Sequence, residues 1–264
     1  MVTRARRLFS VFVVLVLSLV GGAVTAAAVP ATNYVALGDS YSSGVGAGSY
    51  GDSGGCKRSA NAYPELWADS HSVTDFTFVA CLGATTSDVI NQASALDAST
   101  TLVTLSVGGN DAGFTDVMVD CTLGTNQYCI DRVEQAKQFA RTTLPGRLDE
   151  VYSVVRSNAP NAQIVVLGYP RFYKIGGSCQ AGLSDTKRSA INSGADTLAE
   201  VTAQRAAAAG VTFVDVRGHF SGHEICADGT WWLHSLTWPV DESYHPTVQG
   251  QASGYLPALQ SVTG

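Results

Sequence analysis

The chain is poor in charge: of its 264 residues only 14% are charged, and the basic ones form no cluster beyond the N-terminus. Nucleic-acid binding needs a basic patch to meet the phosphates, so that class of partner is set aside. No Pro/Ser-rich linker, low-complexity tract or internal repeat divides the sequence, which points to one domain. No Cys-x-x-Cys spacing occurs among the six cysteines, so zinc-ribbon and thioredoxin-like readings fall away. What is present is 45% apolar side chains and 27 glycines, a composition that builds a compact core rather than a disordered, collagen-like or coiled-coil chain.

Arg4, Arg6 and Arg7 precede an apolar run over 8–20, broken only by Ser10 and Ser18, and small residues follow over 21–28, ending Ala26-Ala27-Ala28. Basic start, short apolar stretch and A-x-A tail predict a secretory signal peptide, 1–28, cleaved near Ala28. A membrane-spanning helix needs about 20 apolar residues, more than this run supplies. The remaining domain, 29–264, keeps 13 basic and 22 acidic residues, a net charge of −9. Cys56, Cys81, Cys121, Cys129, Cys179 and Cys226 all lie beyond the cleavage region. An even number in an exported chain predicts disulfides. Fifteen pairings satisfy the count. Pairing in sequential order keeps each bridge local, though spacing alone does not establish it.

Apolar runs rich in β-branched residues occupy 34–37, 76–80, 102–107, 164–167 and 211–216, each followed by glycine, polar or turn residues. They read as buried strands. Between them, 145–158 places Leu148, Val151, Tyr152 and Val155 on one helical face, and 184–209 does the same with Ile191, Ala195, Leu198 and Val201 ahead of a capping Gly210. Strands apolar on both faces, alternating with amphipathic helices, predict a three-layer α/β/α sandwich around a mostly parallel five-stranded sheet. Reactive groups in such folds gather at the carboxyl ends of the strands.

Three of those ends carry polar, glycine-containing loops: Gly38-Asp39-Ser40, the loop from Cys81 through Gly83 to Thr86, and Gly108-Gly109-Asn110-Asp111. Near the C-terminus stands Asp241-Glu242-Ser243-Tyr244-His245-Pro246, ahead of a short helix. A serine hydroxyl is a weak nucleophile until an imidazole takes its proton and donors hold the oxyanion formed at the attacked carbonyl. Ser40 and His245 are the candidate pair. The candidate oxyanion donors are the backbone N–H of Ser40, the backbone N–H of Gly83, whose missing side chain lets substrate approach, and the Asn110 amide.

In this order the segments resemble the four sequence blocks of the SGNH (GDSL-like) hydrolases. The stretch 34–46, the six-cysteine layout and Ser243-Tyr244-His245-Pro246 resemble more closely the secreted lipases and esterases of Streptomyces and related actinomycetes. The resemblance spans nearly the whole of 29–264. It implies a flavodoxin-like α/β/α fold, carboxylic-ester hydrolysis with no metal or cofactor, and disulfides 56–81, 121–129 and 179–226. A small-molecule or lipid ester is the expected substrate, with transient lipid-surface contact and a monomeric chain. One position departs from the family pattern: the acid three residues before the histidine is Glu242 where Asp is usual. The group that orients His245 is therefore the Glu242 carboxylate, or a backbone carbonyl at Glu242 or Ser243; Asp241 is one residue out of register.

Several residues imitate other sites. Gly51-Asp52-Ser53-Gly54-Gly55 matches two serine-hydrolase motifs, but a glycine-rich loop precedes it where an elbow needs a strand, and no histidine precedes Ser53 as the protease order requires. His219, His223 and Glu224 form H-x-x-x-H-E rather than H-E-x-x-H, with glycines that weaken a helix there. His71 and His234 stand alone. Asp39 and Asp111 are expected to accept backbone N–H groups that shape their loops. Trp231, Trp232 and Trp238 are candidates either for an acyl pocket or lipid contact or for core packing. Phospholipase A, acetyl-polysaccharide esterase and thioesterase activities share this chemistry, and a non-catalytic lipid- or glycan-binding module is the rival from another class.

Overall fold

Five short segments form the strands of one sheet among the described residues: β1 Thr32–Ala36, β2 Val73–Phe78, β3 Leu102–Leu105, β4 Gln163–Leu167 and β5 Thr212–Val214. The computed structural model describes residues 32–177, 179 and 183–264, so the expected leader 1–28 lies outside the described residues. All four pairings are parallel, in the order β2-β1-β3-β4-β5. This is the flavodoxin-like order, whose switch point lies between β1 and β3.

The central strands are buried on both faces, as their largely apolar sequences require; β3 exposes no side chain and β4 only Gln163. The edge strands differ from expectation. β2 begins at Val73, three residues before the run read from sequence, and Thr74 and Asp75 are exposed. An edge strand has one neighbour and loses cover at its margin, so its sequence need not be apolar throughout.

Eight α-helices accompany the sheet among the described residues: α1 Ser40–Ser43, α2 Tyr63–Ser70, α3 Thr86–Gln92, α4 Phe114–Leu123, α5 Asn126–Thr142, α6 Leu144–Asn158, α7 Asp185–Ala208 and α8 Leu256–Thr263. A π-helical turn, Gly250–Tyr255, leads into α8. Helices α2 and α8 pack together, and α3, α6 and α7 form the other layer, extended by α4 and α5. The α6 stripe read from sequence, Leu148, Val151, Tyr152 and Val155, is fully buried. Burying each such aliphatic side chain contributes roughly 1.5–3 kcal/mol. Ser184 caps α7 by accepting the Lys187 N–H at 3.3 Å, and Gly210 beyond its end has the left-handed φ of +63° that closes a helix.

The cysteines pair as Cys56–Cys81, Cys121–Cys129 and Cys179–Cys226. The first joins the loop after α1 to the loop after β2, and the second joins α4 to α5. Ser40, Gly83 and Asn110 all follow strand ends on the same edge of the sheet, and the chain returns to that edge at His245.

Candidate active site

Ser40 opens α1 directly after β1, and its Oγ lies 2.8 Å from His245 Nε2, a contact across 205 residues. Both side chains are buried. The tight exit from β1 depends on Gly38: its φ is +119°, and a Cβ there would come within 2.7 Å of the Ser106 carbonyl. Asp39 caps α1 through Oδ1, accepting the Tyr41 N–H at 3.0 Å, as its position in the motif predicts.

His245 Nδ1 lies 3.0 Å from the carbonyl oxygen of Ser243. A carbonyl only accepts, so Nδ1 carries the proton and the neutral ring presents its Nε2 lone pair to the Ser40 hydroxyl. Tyr244, between the two residues, has a φ of +66°, and this left-handed turn brings the ring back over the carbonyl two residues upstream. The Tyr41 hydroxyl holds the turn by donating to the Tyr244 carbonyl at 2.7 Å. Burial pushes the imidazole down to about 4, partly opposed by the Ser243 hydrogen bond.

The Glu242 carboxylate is engaged elsewhere, which corrects the first of the alternatives read from sequence. Its Oε1 accepts the Tyr50 hydroxyl at 2.7 Å and lies 3.9 Å from Lys57 Nζ. Asp241 pairs with Lys57 at 2.7 Å. The short 3-10 turn Val240–Glu242 thus faces the loop after α1, and a main-chain oxygen meets the imidazole.

The loops carrying Gly83 and Asn110 are tied together. Asn110 Nδ2 donates to the Ala84 carbonyl at 2.9 Å, which leaves its second amide hydrogen free of that bond. Asp111, its side chain wholly buried, accepts the Thr86 N–H at 2.9 Å and the Thr86 hydroxyl at 2.7 Å. The Gly83 loop is anchored in turn to β1 through Cys81 N–H on the Gly38 carbonyl at 3.0 Å. Gly83 is required for its φ of +80°; a Cβ there would meet nothing within 4 Å, so steric room is the lesser reason for a glycine.

Beside Ser40 opens a cavity of about 80 Å³, lined by carbon from Phe114, Val117 and Met118 of α4, Val133, Ala136 and Ala140 of α5, and Ile191, Ala195 and Leu198 of α7. A single water needs roughly 10–15 Å³, so the space is several times larger and offers water few partners. The three tryptophans, candidates for an acyl pocket, lipid contact or core packing, do not line it. Trp231 donates to the Ala227 carbonyl at 2.9 Å and Trp232 stacks on His223 at 3.7 Å, while Trp238 is 88% exposed, which leaves it open to contact from outside. The helical signal was available, but three segments far apart in the chain had to pack before a pocket existed.

The imitators take other parts. Ser53 Oγ donates to the Tyr50 carbonyl at 2.7 Å and accepts the Arg58 N–H at 2.8 Å within a surface turn. His223 Nδ1 meets the Thr230 carbonyl at 2.9 Å, and Glu224 accepts the Gly222 N–H at 2.9 Å. His71 stacks on Trp67, and His234 Nε2 donates to the Gly46 carbonyl at 2.8 Å. Tyr169, which follows β4 and lines the cavity, carries no mark in the sequence beyond its place at a strand's carboxyl end, the same signal that marks the loops after β1, β2 and β3.

Comparison with known proteins identifies the family. Residues 36–252 match the model of the GDSL-like Lipase/Acylhydrolase family. A lipase of Streptomyces rimosus is 56% identical over 243 residues, covering 91% of this chain and 90% of the relative. The crystal structure of an extracellular lipase from Streptomyces rimosus superposes with a TM-score of 0.86 at 56% identity, covering 88% of this chain and all of that one. That of a phospholipase A1 from Streptomyces albidoflavus gives 0.85 at 57% identity, covering 88% and 99%. A family model matched over most of the chain and a relative 56% identical across nine-tenths of it show that the chain belongs to the GDSL-like lipase/acylhydrolase family.

Proposed function

We propose that this chain is a secreted serine carboxylic-ester hydrolase of lipase/esterase type, with Ser40 as nucleophile and His245 as general base and then acid. The observation that carries the reading is the 2.8 Å contact between Ser40 Oγ and His245 Nε2 at the mouth of an apolar cavity. The Ser40 hydroxyl gives its proton to Nε2 as its oxygen attacks the ester carbonyl. The oxyanion is held by the N–H of Ser40, the N–H of Gly83 and the Asn110 amide. The imidazolium returns the proton to the departing alcohol, leaving an acyl-enzyme that water cleaves by the reverse proton path. The Ser243 carbonyl is the acceptor that supports the imidazolium, so a serine–histidine dyad suffices. No cofactor enters these steps.

The carbon-lined cavity suits the acyl chain, which favours acyl esters of glycerol or similar alcohols over acetylated polysaccharide. Phospholipid ester cleavage is a second reading, favoured by the 57% identity to a protein described as a phospholipase A1. Export through a signal peptide, 1–28, is supported by the likeness to a protein described as an extracellular lipase. The test is hydrolysis of a chromogenic short-chain ester by protein beginning at residue 29, compared with Ser40→Ala. A loss of roughly 10⁴-fold or more in kcat is expected. Equal rates would remove Ser40 from its role.

A further inference from the structure

The residues assigned to the oxyanion sit on loops, and the hydrogen bonds fixing those loops include one pair with no role in the steps above. Tyr169, two residues beyond β4, donates its hydroxyl proton to Asp39 Oδ2 and accepts the Gly109 N–H at 3.2 Å. Asp39 Oδ1 also accepts the Ser106 hydroxyl at 2.6 Å and the Tyr41 N–H at 3.0 Å. The phenol lies close against Gly109, where a Cβ would come within 3.3 Å of Cζ. Tyr169 further packs edge-on against Tyr41 at 5.0 Å between ring centres.

We propose that Tyr169 is a positioning residue for ester hydrolysis, its one phenolic oxygen tying the Gly109-Asn110 loop to the carboxylate behind the nucleophile. The proposal rests on the assignment of Ser40 as nucleophile and Asn110 as oxyanion donor. A phenol has a single proton. An ionised carboxylate can only accept, so it draws that proton toward itself and leaves the phenol's lone pair facing the Gly109 N–H. The peptide plane entering Asn110 is thereby set relative to Asp39, the residue that caps the helix bearing Ser40. Nucleophile and oxyanion donor are held to one buried anchor, which is the preorganisation that keeps a donor aimed at developing charge.

The arrangement holds only while Asp39 is ionised. Around it stand the phenols of Tyr41, Tyr63, Tyr169 and Tyr255, the hydroxyl of Ser106, the carboxylate of Asp111 and, beyond Ser40, the imidazole of His245. Burial pushes the carboxyl up to about 6 against the lowering effect of its Ser106 and Tyr169 donors. Removing the Tyr169 donor raises it further. A protonated Asp39 no longer accepts only, the phenol is freed to turn, and Gly109 loses its acceptor.

The experiment compares wild type, Tyr169→Phe, Asp39→Asn, the double variant and Ser40→Ala on a short-chain ester that does not reach into the cavity. Tyr34→Phe serves as a control, since it deletes another buried phenol bond, to Thr104 Oγ1 at 2.7 Å, in the strand core. Tyr169→Phe is expected to lower kcat roughly 10- to 100-fold, less than the 10²–10³ of losing an oxyanion donor, with KM little changed. The acid limb near pH 6 is lost from its kcat profile, because Asp39 has no phenol left to direct, while Tyr34→Phe keeps wild-type kcat and profile. Tyr169→Phe and Asp39→Asn cut one link from two ends, so the double variant should lose no more than the worse single one. Wild-type kcat in Tyr169→Phe, a retained acid limb near pH 6 or additive losses in the double variant would each overturn the proposal. Should Tyr169→Phe not fold, Asp39→Asn decides alone: wild-type kcat in it overturns the proposal, and reduced kcat with the acid limb near pH 6 abolished supports it. An active Ser40→Ala would sink the nucleophile assignment itself, whereas an inactive one beside a fully active Tyr169→Phe sinks only the role of Tyr169.

Discussion

Glu242, three residues before His245 and one of two alternatives for orienting its ring, accepts the Tyr50 hydroxyl on Oε1 at 2.7 Å. The same hydroxyl accepts the Gly46 N–H at 3.0 Å, and burial together with Glu242 pushes the phenol up to about 12. The carboxylate therefore fastens the loop after α1 to the turn before His245, while the imidazole rests on the Ser243 carbonyl.

Glu242→Ala should accordingly lower kcat by less than about tenfold and cost roughly 1.5–3 kcal/mol of stability, the usual range for one lost hydrogen bond to a charged group. Steady-state kinetics and a urea melt check both. A fall in kcat of roughly 10³ or more, with folding intact, would return the carboxylate to the imidazole.

Asn110→Ala removes the amide hydrogen not spent on the Ala84 carbonyl together with the one that is. We expect kcat to fall by roughly 10²–10³ with KM nearly constant, because the interaction forms only as negative charge develops. An effect confined to KM would make Asn110 a substrate contact instead.

Acyl-chain preference should follow the cavity between α4, α5 and α7. Each methylene it accommodates contributes about 0.8 kcal/mol of transfer free energy, so kcat/KM rises with chain length until the space is full. Ala136→Phe shortens that rise and spares short esters. A chain-length series with unaltered slope in the variant would place the acyl group elsewhere.

The buried imidazole makes folding pH-dependent with a definite sign. His245 protonates at about 4 when folded and near 6.5 when exposed, so the unfolded chain takes up the proton first as pH falls. Its contribution to stability is complete above about pH 6.5 and is lost by about pH 4. Asp39 works in the opposite direction: held at about 6 against an ordinary 3.8, it stabilises the folded chain as pH falls across the same interval. His245→Ala isolates the first effect. The unfolding free energy of wild type relative to this variant should decline by up to about 3 kcal/mol between pH 7 and pH 4. A constant difference would mean that the ring is not kept neutral by burial.

Much of the site could be read before any coordinates. Ser40, Gly83 and Asn110 each follow an apolar strand within a few residues, so local pattern and the carboxyl-edge rule sufficed to group them. The edge strand β2 was read less well, because its exposed Thr74 and Asp75 break the apolar run that marked the others. Tyr169 and the cavity left weaker marks. A lone tyrosine after β4 says nothing until Gly109 and Asp39 are beside it, and the cavity-facing residues of α5 and α7 read simply as core.

Fold class, sequential loop order and the chemical types at the site were thus written in the sequence, because strand and helix periodicities and the residues next to strand ends are local properties. The partner of His245, the employment of Glu242 and the source of the pocket wall were decided by tertiary packing. They turn on contacts spanning many tens of residues and on one left-handed residue, Tyr244, whose φ of +66° selects a carbonyl over a carboxylate only once Tyr41, Tyr50 and Lys57 have closed around that turn.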